Sequence, residues 1–322
     1  MSLLIPTEVD WIDAHKDNGG QEPIYRTKLQ ELKAQGKYKW DFEVVPGFFK
    51  QCDDSTDDLK FNYALEDLGR LKSWEDIQKD LKSLNENADD NVCYKLIFCS
   101  RHGQGYHNTI VDKYGFDEWN RYWHKQTHDG DIEFGPDAML TERGIKQAEE
   151  NHQVWKDQVA KGAPIPSKFF VSPLQRSSWT LVKTWTGIKP DSIHPVVTQN
   201  IRETCGVNLC DKRSSKTIIT ERFGKYGFEF EPGFTEEDEF FDPNERESLH
   251  HHALRTNDFL QSLFDADLNG EKVDKSQAIE NTFISTTSHA GTIRTFIIVT
   301  GHRHFTISTG GMIPIVVKGT RN

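Results

Sequence analysis

From position 93 onward, short apolar runs alternate with stretches of helical spacing. The run at 94–99, Tyr-Lys-Leu-Ile-Phe-Cys, has the length and continuity of a strand buried on both faces. It stops at Ser100-Arg101-His102-Gly103-Gln104-Gly105, a polar, glycine-bearing segment with the composition of a loop leaving a strand. A second run at 168–172 leads into Pro173-Leu174-Gln175-Arg176 and a helix through Trp185. Further strands are expected at 193–197, 278–287 and 312–317. Thr141 has the chemistry of an N-cap, and Ile145, Ala148, His152, Trp155 and Val159 follow on roughly one face until Gly162-Ala163-Pro164. Helical spacing recurs at 245–264 and 292–299, whereas 229–247 is strongly acidic and reads as a surface excursion. The alternation predicts an α/β protein: a mainly parallel central sheet with helices on both faces, three layers in all.

The first 92 residues follow a looser pattern, with helical spacing at 24–32 and 67–84. In the second of these, Leu68, Leu71, Trp74, Ile77, Leu81 and Leu84 recur at steps of three and four. Residues 40–49 read as an extended segment ended by a Pro-Gly turn, and 51–58 and 85–91 as surface loops. The expected organisation is an N-terminal extension, 1–92, packed on a catalytic domain, 93–322, and covering part of its site. The stretch 111–135 reads as a loop over that site, its aromatics either gripping a ligand or forming local core.

Composition narrows the class. The 322 residues are 35% hydrophobic and include 20 Phe and 8 Trp, enough for a sizeable core. No apolar run approaches the length of a membrane span. The first residues carry no basic n-region and meet acids within ten positions, unlike a secretory signal. Five cysteines at irregular spacing fit a reducing compartment, cytoplasm or nucleus. Cys205 and Cys210 lack a second ligand pair at zinc spacing. His250, His251 and His252 are adjacent on a helix and point in different directions, so no metal is expected there. The net charge of −11 argues against broad contact with nucleic acid. A phosphate ligand would therefore need concentrated local positive charge. Oligomeric state has no legible signal.

Four strand ends supply Arg101-His102, Arg176, Glu203 and Ser288-His289. Two arginines and two histidines beside one glutamate make poor core, because unpaired buried charge is expensive. They suit a cradle for a phosphate dianion, since arginine forks match its oxygens two at a time. The segment 211–216, containing Lys212 and Arg213, reads either as a solvated loop or as a specificity element for an anionic substrate.

Here the sequence resembles the histidine phosphatase superfamily, the phosphoglycerate mutase-like family. Its Arg-His-Gly motif, with Asn six positions after the His, is matched by Arg101, His102, Gly103 and Asn108. Its Leu-Thr-x-x-Gly-x-x-Gln-Ala stretch is matched by Leu140, Thr141, Gly144, Gln147 and Ala148, and its Ser-x-Leu-x-Arg-x-x-x-Thr element by Ser172, Leu174, Arg176 and Thr180. Arg202-Glu203 and Ser288-His289-Ala290-Gly291 complete the order. Arg202-Glu203-Thr204-Cys205-Gly206, followed by Cys210-Asp211-Lys212-Arg213, is similar to the fungal and plant cytoplasmic phosphomutase-like group.

The resemblance implies a phosphoglycerate mutase-like fold and attack by His102 on phosphorus. Arg101, Arg176, Asn108 and His289 would hold the phosphoryl oxygens, and Glu203 would transfer protons to and from the leaving group and water. It implies no cofactor and no metal. The acid phosphatase branch places Asp directly after the second His; this chain has Ala290 there, which leaves proton transfer to Glu203. The mutases usually carry Glu two positions after the nucleophile, where this chain has Gln104. Tyr106, His107, Trp119, Trp123, Lys212 and Arg213 are candidates for recognising the leaving group. The expected function is a metal-independent phosphatase acting on a small phosphorylated substrate. The alternatives are a phosphoglycerate mutase and a non-catalytic phosphate-binding interaction module.

Overall fold

In a computed structural model that describes residues 2–16 and 19–322, the chain forms a seven-stranded sheet flanked by helices. Its strands are β1 (Trp40–Val44), β2 (Val92–Arg101), β3 (Lys168–Val171), β4 (Val196–Val197), β5 (Glu229–Phe230), β8 (Phe283–Ser288) and β9 (Met312–Arg321), while β6 (Leu268–Asn269) and β7 (Lys272–Val273) form a separate hairpin. The order is β1-β9-β2-β8-β3-β4-β5. Within this sheet β9 runs antiparallel to β1 and β2, and the remaining pairings are parallel. The expected mainly parallel α/β architecture is therefore present.

The helices are α1 (Glu8–His15), α2 (Gln21–Ala34), α3 (Trp74–Asn87), α4 (Tyr106–Arg121), α5 (Glu142–Ala160), α6 (Gln175–Trp185), α7 (Lys216–Phe223), α8 (Leu249–Asp265), α9 (Lys275–Glu280) and α10 (Ala290–Thr300). Neighbouring residues of one strand show how they divide. Phe169 of β3 meets Trp185 of α6 edge-on at 4.9 Å, and Phe170 meets Phe259 of α8 at 5.1 Å. Because successive side chains of a strand leave opposite faces, α6 and α8 lie on opposite sides of the sheet. Phe98 of β2 packs on Trp155 of α5 and Trp74 of α3, which joins those helices to the α6 side. Phe296 of α10 packs on Phe259, joining α10 to the α8 side. Leu96, Ile97, Phe98 and Cys99 are all fully buried, as expected for a central strand covered twice.

Several expected boundaries move. The helix read at 67–84 starts at Trp74, because Asp67 and Leu68 have positive φ (52° and 60°) and Ser73 caps the helix through the Asp76 amide. Residues 85–87, read as loop, are its last turn. There Asn85 is buried and bonds both the amide and the carbonyl of Tyr94 (2.8 and 3.0 Å). The strand read at 278–287 begins only at Phe283, after Asp274 has capped the short α9. The strand read at 193–197 shrinks to Val196–Val197. The loop read at 111–135 is helical as far as Arg121, broken at Gly115 (φ 81°). Its aromatics form a satellite core in which Trp119 and Phe134 are buried and Tyr114 stacks on Trp123 at 4.4 Å.

Residues before 93 contribute the edge strand β1, which pairs with β9, and α1, which lines the cavity described below. Among the described residues no helix is long and apolar enough to cross a membrane, and no group of three His, Cys, Asp or Glu is placed to hold a metal ion.

Candidate active site

The parallel strands β2, β3 and β8 end together, and their carboxyl ends face a cavity of about 730 Å³. His102 follows the last residue of β2, with its amide donating to the carbonyl of Ser288 at the end of β8 (2.9 Å). The loop can turn tightly because Gly103 and Gly144 pack backbone to backbone. A Cβ on Gly103 would lie 2.3 Å from the Gly144 carbonyl oxygen, and one on Gly144 would lie 2.2 Å from that of Gln104.

The imidazole of His102 is 3% exposed. Its Nδ1 lies 2.7 Å from the Gly103 carbonyl, which can only accept, so Nδ1 carries the proton. Nε2 is then an unprotonated lone pair, and it takes a hydrogen bond from Arg176 Nε at 3.2 Å. Burial first, then the charges of Arg176, His107 and Arg101, hold the ring well below the ordinary histidine pKa, and so neutral.

Arg176 is 1% exposed at the first turn of α6. It also donates to the Cys210 carbonyl and to Asp211 Oδ1, both at 2.8 Å. Arg246 donates to Asp211 Oδ2 at 3.0 Å and to the carbonyls of Thr204 and Gly206. Arg101 donates to Asp10 Oδ1 on α1 and to the Ile307 carbonyl (2.5 and 2.6 Å). Asp10 Oδ2 in turn accepts from the Thr7 amide and hydroxyl, closing a capping box.

Glu203 lines the same cavity. Its Oε1 accepts from the Thr204 amide and hydroxyl (2.8 and 3.2 Å), and its Oε2 faces the Gly291 amide at 3.4 Å. Position 291 must be glycine for this approach, since a Cβ there would lie 2.2 Å from the carboxylate. Burial, then the charge of Asp211, pushes Glu203 above the ordinary carboxyl pKa, against the opposing pull of Arg246 and Arg176.

His289 lies behind His102, ring centroids 5.0 Å apart, with Nε2 bonded to Ser172 Oγ (2.7 Å) and Ser177 Oγ (3.3 Å). Its Nδ1 is buried without a partner among the described residues. His107, Asn108 and Gln104 line the cavity, as does Ala290 at the start of α10. Asn108 accepts from the Gly105 amide, and Gln104 accepts from Thr141 Oγ1 at 2.9 Å. His107 stands 5.6 Å from His102 and is pushed well below its ordinary pKa by burial, Arg176 and Arg101.

The expected specificity residues divide. Trp119 reaches the cavity, but Tyr106 and Trp123 pack in the satellite core. Lys212 is exposed and turned to the ring of Phe241. Arg213 is 3% exposed and donates to the carbonyls of Ser214, Thr235, Glu236 and Glu237 while lying over Phe234. Arg213 is thus a strut of its loop.

The cavity also holds residues that the sequence reading missed. Asp10 was legible only as half of a Thr-x-x-Asp capping box. Asp211 was hidden in a basic patch, and Arg246 in an acidic stretch read as surface.

The chain as a whole has relatives by sequence. The chain is 35% identical over 296 residues to a probable phosphoglycerate mutase of Arthroderma benhamiae, covering 86% of this chain and 84% of that one. The chain belongs to the phosphoglycerate mutase-like family, the histidine phosphatases. Within that family it is 39% identical over 246 residues to phosphomutase-like protein 3 of Candida albicans, covering 76% of this chain and 69% of that one. It is also 27% identical over 297 residues to a probable phosphoglycerate mutase of Saccharomyces cerevisiae, covering 85% and 95%. No family model matches the chain. Among solved structures, mycobacterial glucosyl-3-phosphoglycerate phosphatase aligns at a TM-score of 0.36 and 19% identity over 65% of this chain and 82% of that one, a likeness too loose to bear on function.

Proposed function

We propose that the protein hydrolyses small phosphomonoesters through a phosphohistidine on His102, with 93–322 as the catalytic domain and 1–92 as an extension packed on it, whose α1 lines the site. One observation carries the reading. His102 is a neutral imidazole whose Nδ1–H is fixed on the Gly103 carbonyl and whose Nε2 lone pair meets Arg176, a cation that binds phosphoryl oxygen.

The chemistry follows from the residue types. Nε2 of His102 attacks phosphorus as the ester P–O bond breaks, and the carboxyl proton of Glu203 passes to the departing alkoxide. Water then attacks the phosphohistidine, Glu203 takes the water proton, the P–N bond breaks, and His102 returns to the neutral form. Arg101, Arg176, Asn108 and His289 counter the charge that builds on the equatorial oxygens, so the cycle needs no metal.

Phosphotransfer of the mutase type is a second reading, favoured by the names of the relatives. Gln104 opposes it, because it leaves that position uncharged.

The test is phosphate release by the purified protein in EDTA across p-nitrophenyl phosphate, sugar phosphates, nucleotides and phosphoglycerate, with His102→Ala alongside. Metal-independent release that vanishes in the variant is the expected result. Bisphosphoglycerate-dependent interconversion of phosphoglycerates without release would move the assignment to a mutase. Silence in both assays would leave a phosphate-binding interaction module.

A further inference from the structure

Asp211 uses both carboxylate oxygens on cations. Oδ1 accepts from Arg176 at 2.8 Å and Oδ2 from Arg246 at 3.0 Å, and the side chain is almost fully buried. Arg176 is the arginine that touches the His102 lone pair, and Arg246 shares the cavity wall with Glu203. One carboxylate therefore ties the phosphate-facing cation to the cation beside the acid.

Resting on the reading of Glu203 as the proton donor, we infer that Asp211 is a positioning residue. It bridges Arg176 and Arg246, fixing the first against the phosphoryl group and limiting the positive charge that the pair presents to Glu203.

The charge count argues for this role. Two guanidinium groups and one carboxylate leave a single net positive charge next to Glu203. Without Asp211 that charge doubles, and nearby positive charge favours the ionised form of a carboxyl group, which cannot protonate a leaving group. Asp211 is not placed to act on the substrate itself. Arg246 and Arg176 outweigh its burial and hold it ionised, and each oxygen already accepts a charged hydrogen bond.

Other groups face Glu203 too, and none replaces this bridge. Thr204 donates its amide and hydroxyl, and that hydroxyl also contacts His252 Nδ1 of α8 at 3.2 Å. Burial, then Arg255, drives the pKa of His252 down to about 3, so it is neutral. Arg255 donates to the Glu203 backbone carbonyl, but its charge is paired with Glu247 at 2.7 Å. Asp10 and Arg101 line the same cavity as a mutual pair.

The test compares pH profiles of kcat/KM for wild type, Asp211→Asn and Arg246→Gln on p-nitrophenyl phosphate and on an alkyl phosphate such as glycerol phosphate. The alkaline limb on the alkyl ester reports Glu203, because an alkoxide needs the proton and p-nitrophenolate leaves without it. For Asp211→Asn the limb should move about one pH unit downward, as expected for loss of a charge lining the same cavity. At neutral pH the alkyl ester should then lose about tenfold more activity than p-nitrophenyl phosphate. For Arg246→Gln the limb should move upward. A structural role alone would lower both substrates equally and leave both limbs in place, which would overturn the inference. If Asp211→Asn does not fold, the direction of the Arg246→Gln shift decides. If the wild type releases phosphate from no ester, the reading of the active site has failed, and that outcome is distinct from unmoved limbs in an active enzyme.

Discussion

At the scale of single residues, the site is a set of histidines kept neutral by burial beside arginines. His102, His107 and His289 are all held well below their ordinary pKa, with burial the first cause and Arg176 the second. His252 behaves alike, at about 3. In the unfolded chain each would titrate near the ordinary value of roughly 6.5. As pH falls below that value the unfolded state binds protons that the folded state refuses, so stability is present above it and is lost on acidification. Each such histidine contributes a slope of up to about 1.4 kcal/mol per pH unit. Glu203, raised in the fold, works in the opposite direction but is a single group. Urea unfolding at pH 7.5 and at pH 5.5 should therefore show a loss of several kcal/mol, on the order of one such slope per histidine. His107→Gln should flatten the dependence by removing one such ring, and it sacrifices no hydrogen bond at Nδ1, which has no partner among the described residues. Equal stability at the two pH values would mean that these rings protonate in place.

At the scale of elements, α1 carries a carboxylate into a site built from strand ends far along the chain. Asp10 completes the capping box that Thr7 opens on its helix and also neutralises Arg101. Asp10→Asn keeps an acceptor but removes the counter-ion from a nearly buried guanidinium, which should cost about 1–3 kcal/mol. The freed charge should bind phosphate more tightly. Inorganic phosphate is thus expected to raise the unfolding midpoint more in the variant than in the wild type, and identical midpoints and shifts would show that α1 is a passive cover. The strand ends themselves were legible because β2 is a continuous apolar run that stops at Ser100-Arg101-His102. The reach of α1 was not, because a carboxylate aimed at a residue 91 positions away leaves no local pattern. The helix at 67–84 was overextended for a related reason. Leu68 and Trp74 are both buried, but a left-handed turn at Asp67-Leu68 brings Leu68 inward and leaves Leu71 exposed, and apolar spacing alone cannot register that turn. Arg213 shows the converse. A basic residue in an acidic chain suggested ligand binding, but four backbone carbonyls were the partners.

At the scale of the whole molecule, the net charge of −11 would govern the approach of the proposed anionic substrate. The lining of the cavity does not reverse it. Arg101 is countered by Asp10, Arg176 and Arg246 share Asp211, and Asp13 and Asp112 stand in the same wall as Lys16 and Arg143. On the proposed reading, the site would hold a phosphoryl group through directed donors at short range, while the distant field is repulsive. Salt shortens the reach of that field from about 30 Å at 0.01 M to about 8 Å at physiological strength. Enzymes that steer their substrate lose kcat/KM as salt rises; here the long-range term has the opposite sign. For a dianionic ester, kcat/KM is expected to hold or to rise, by no more than about threefold, between those ionic strengths. Close hydrogen bonds from these donors to a bound phosphoryl group would lie well within a Debye length and be screened far less. A steep fall with salt, measured at constant pH in chloride to avoid competing anions, would show that the local cations dominate the approach and that the acidic surface is electrically remote from the mouth of the site.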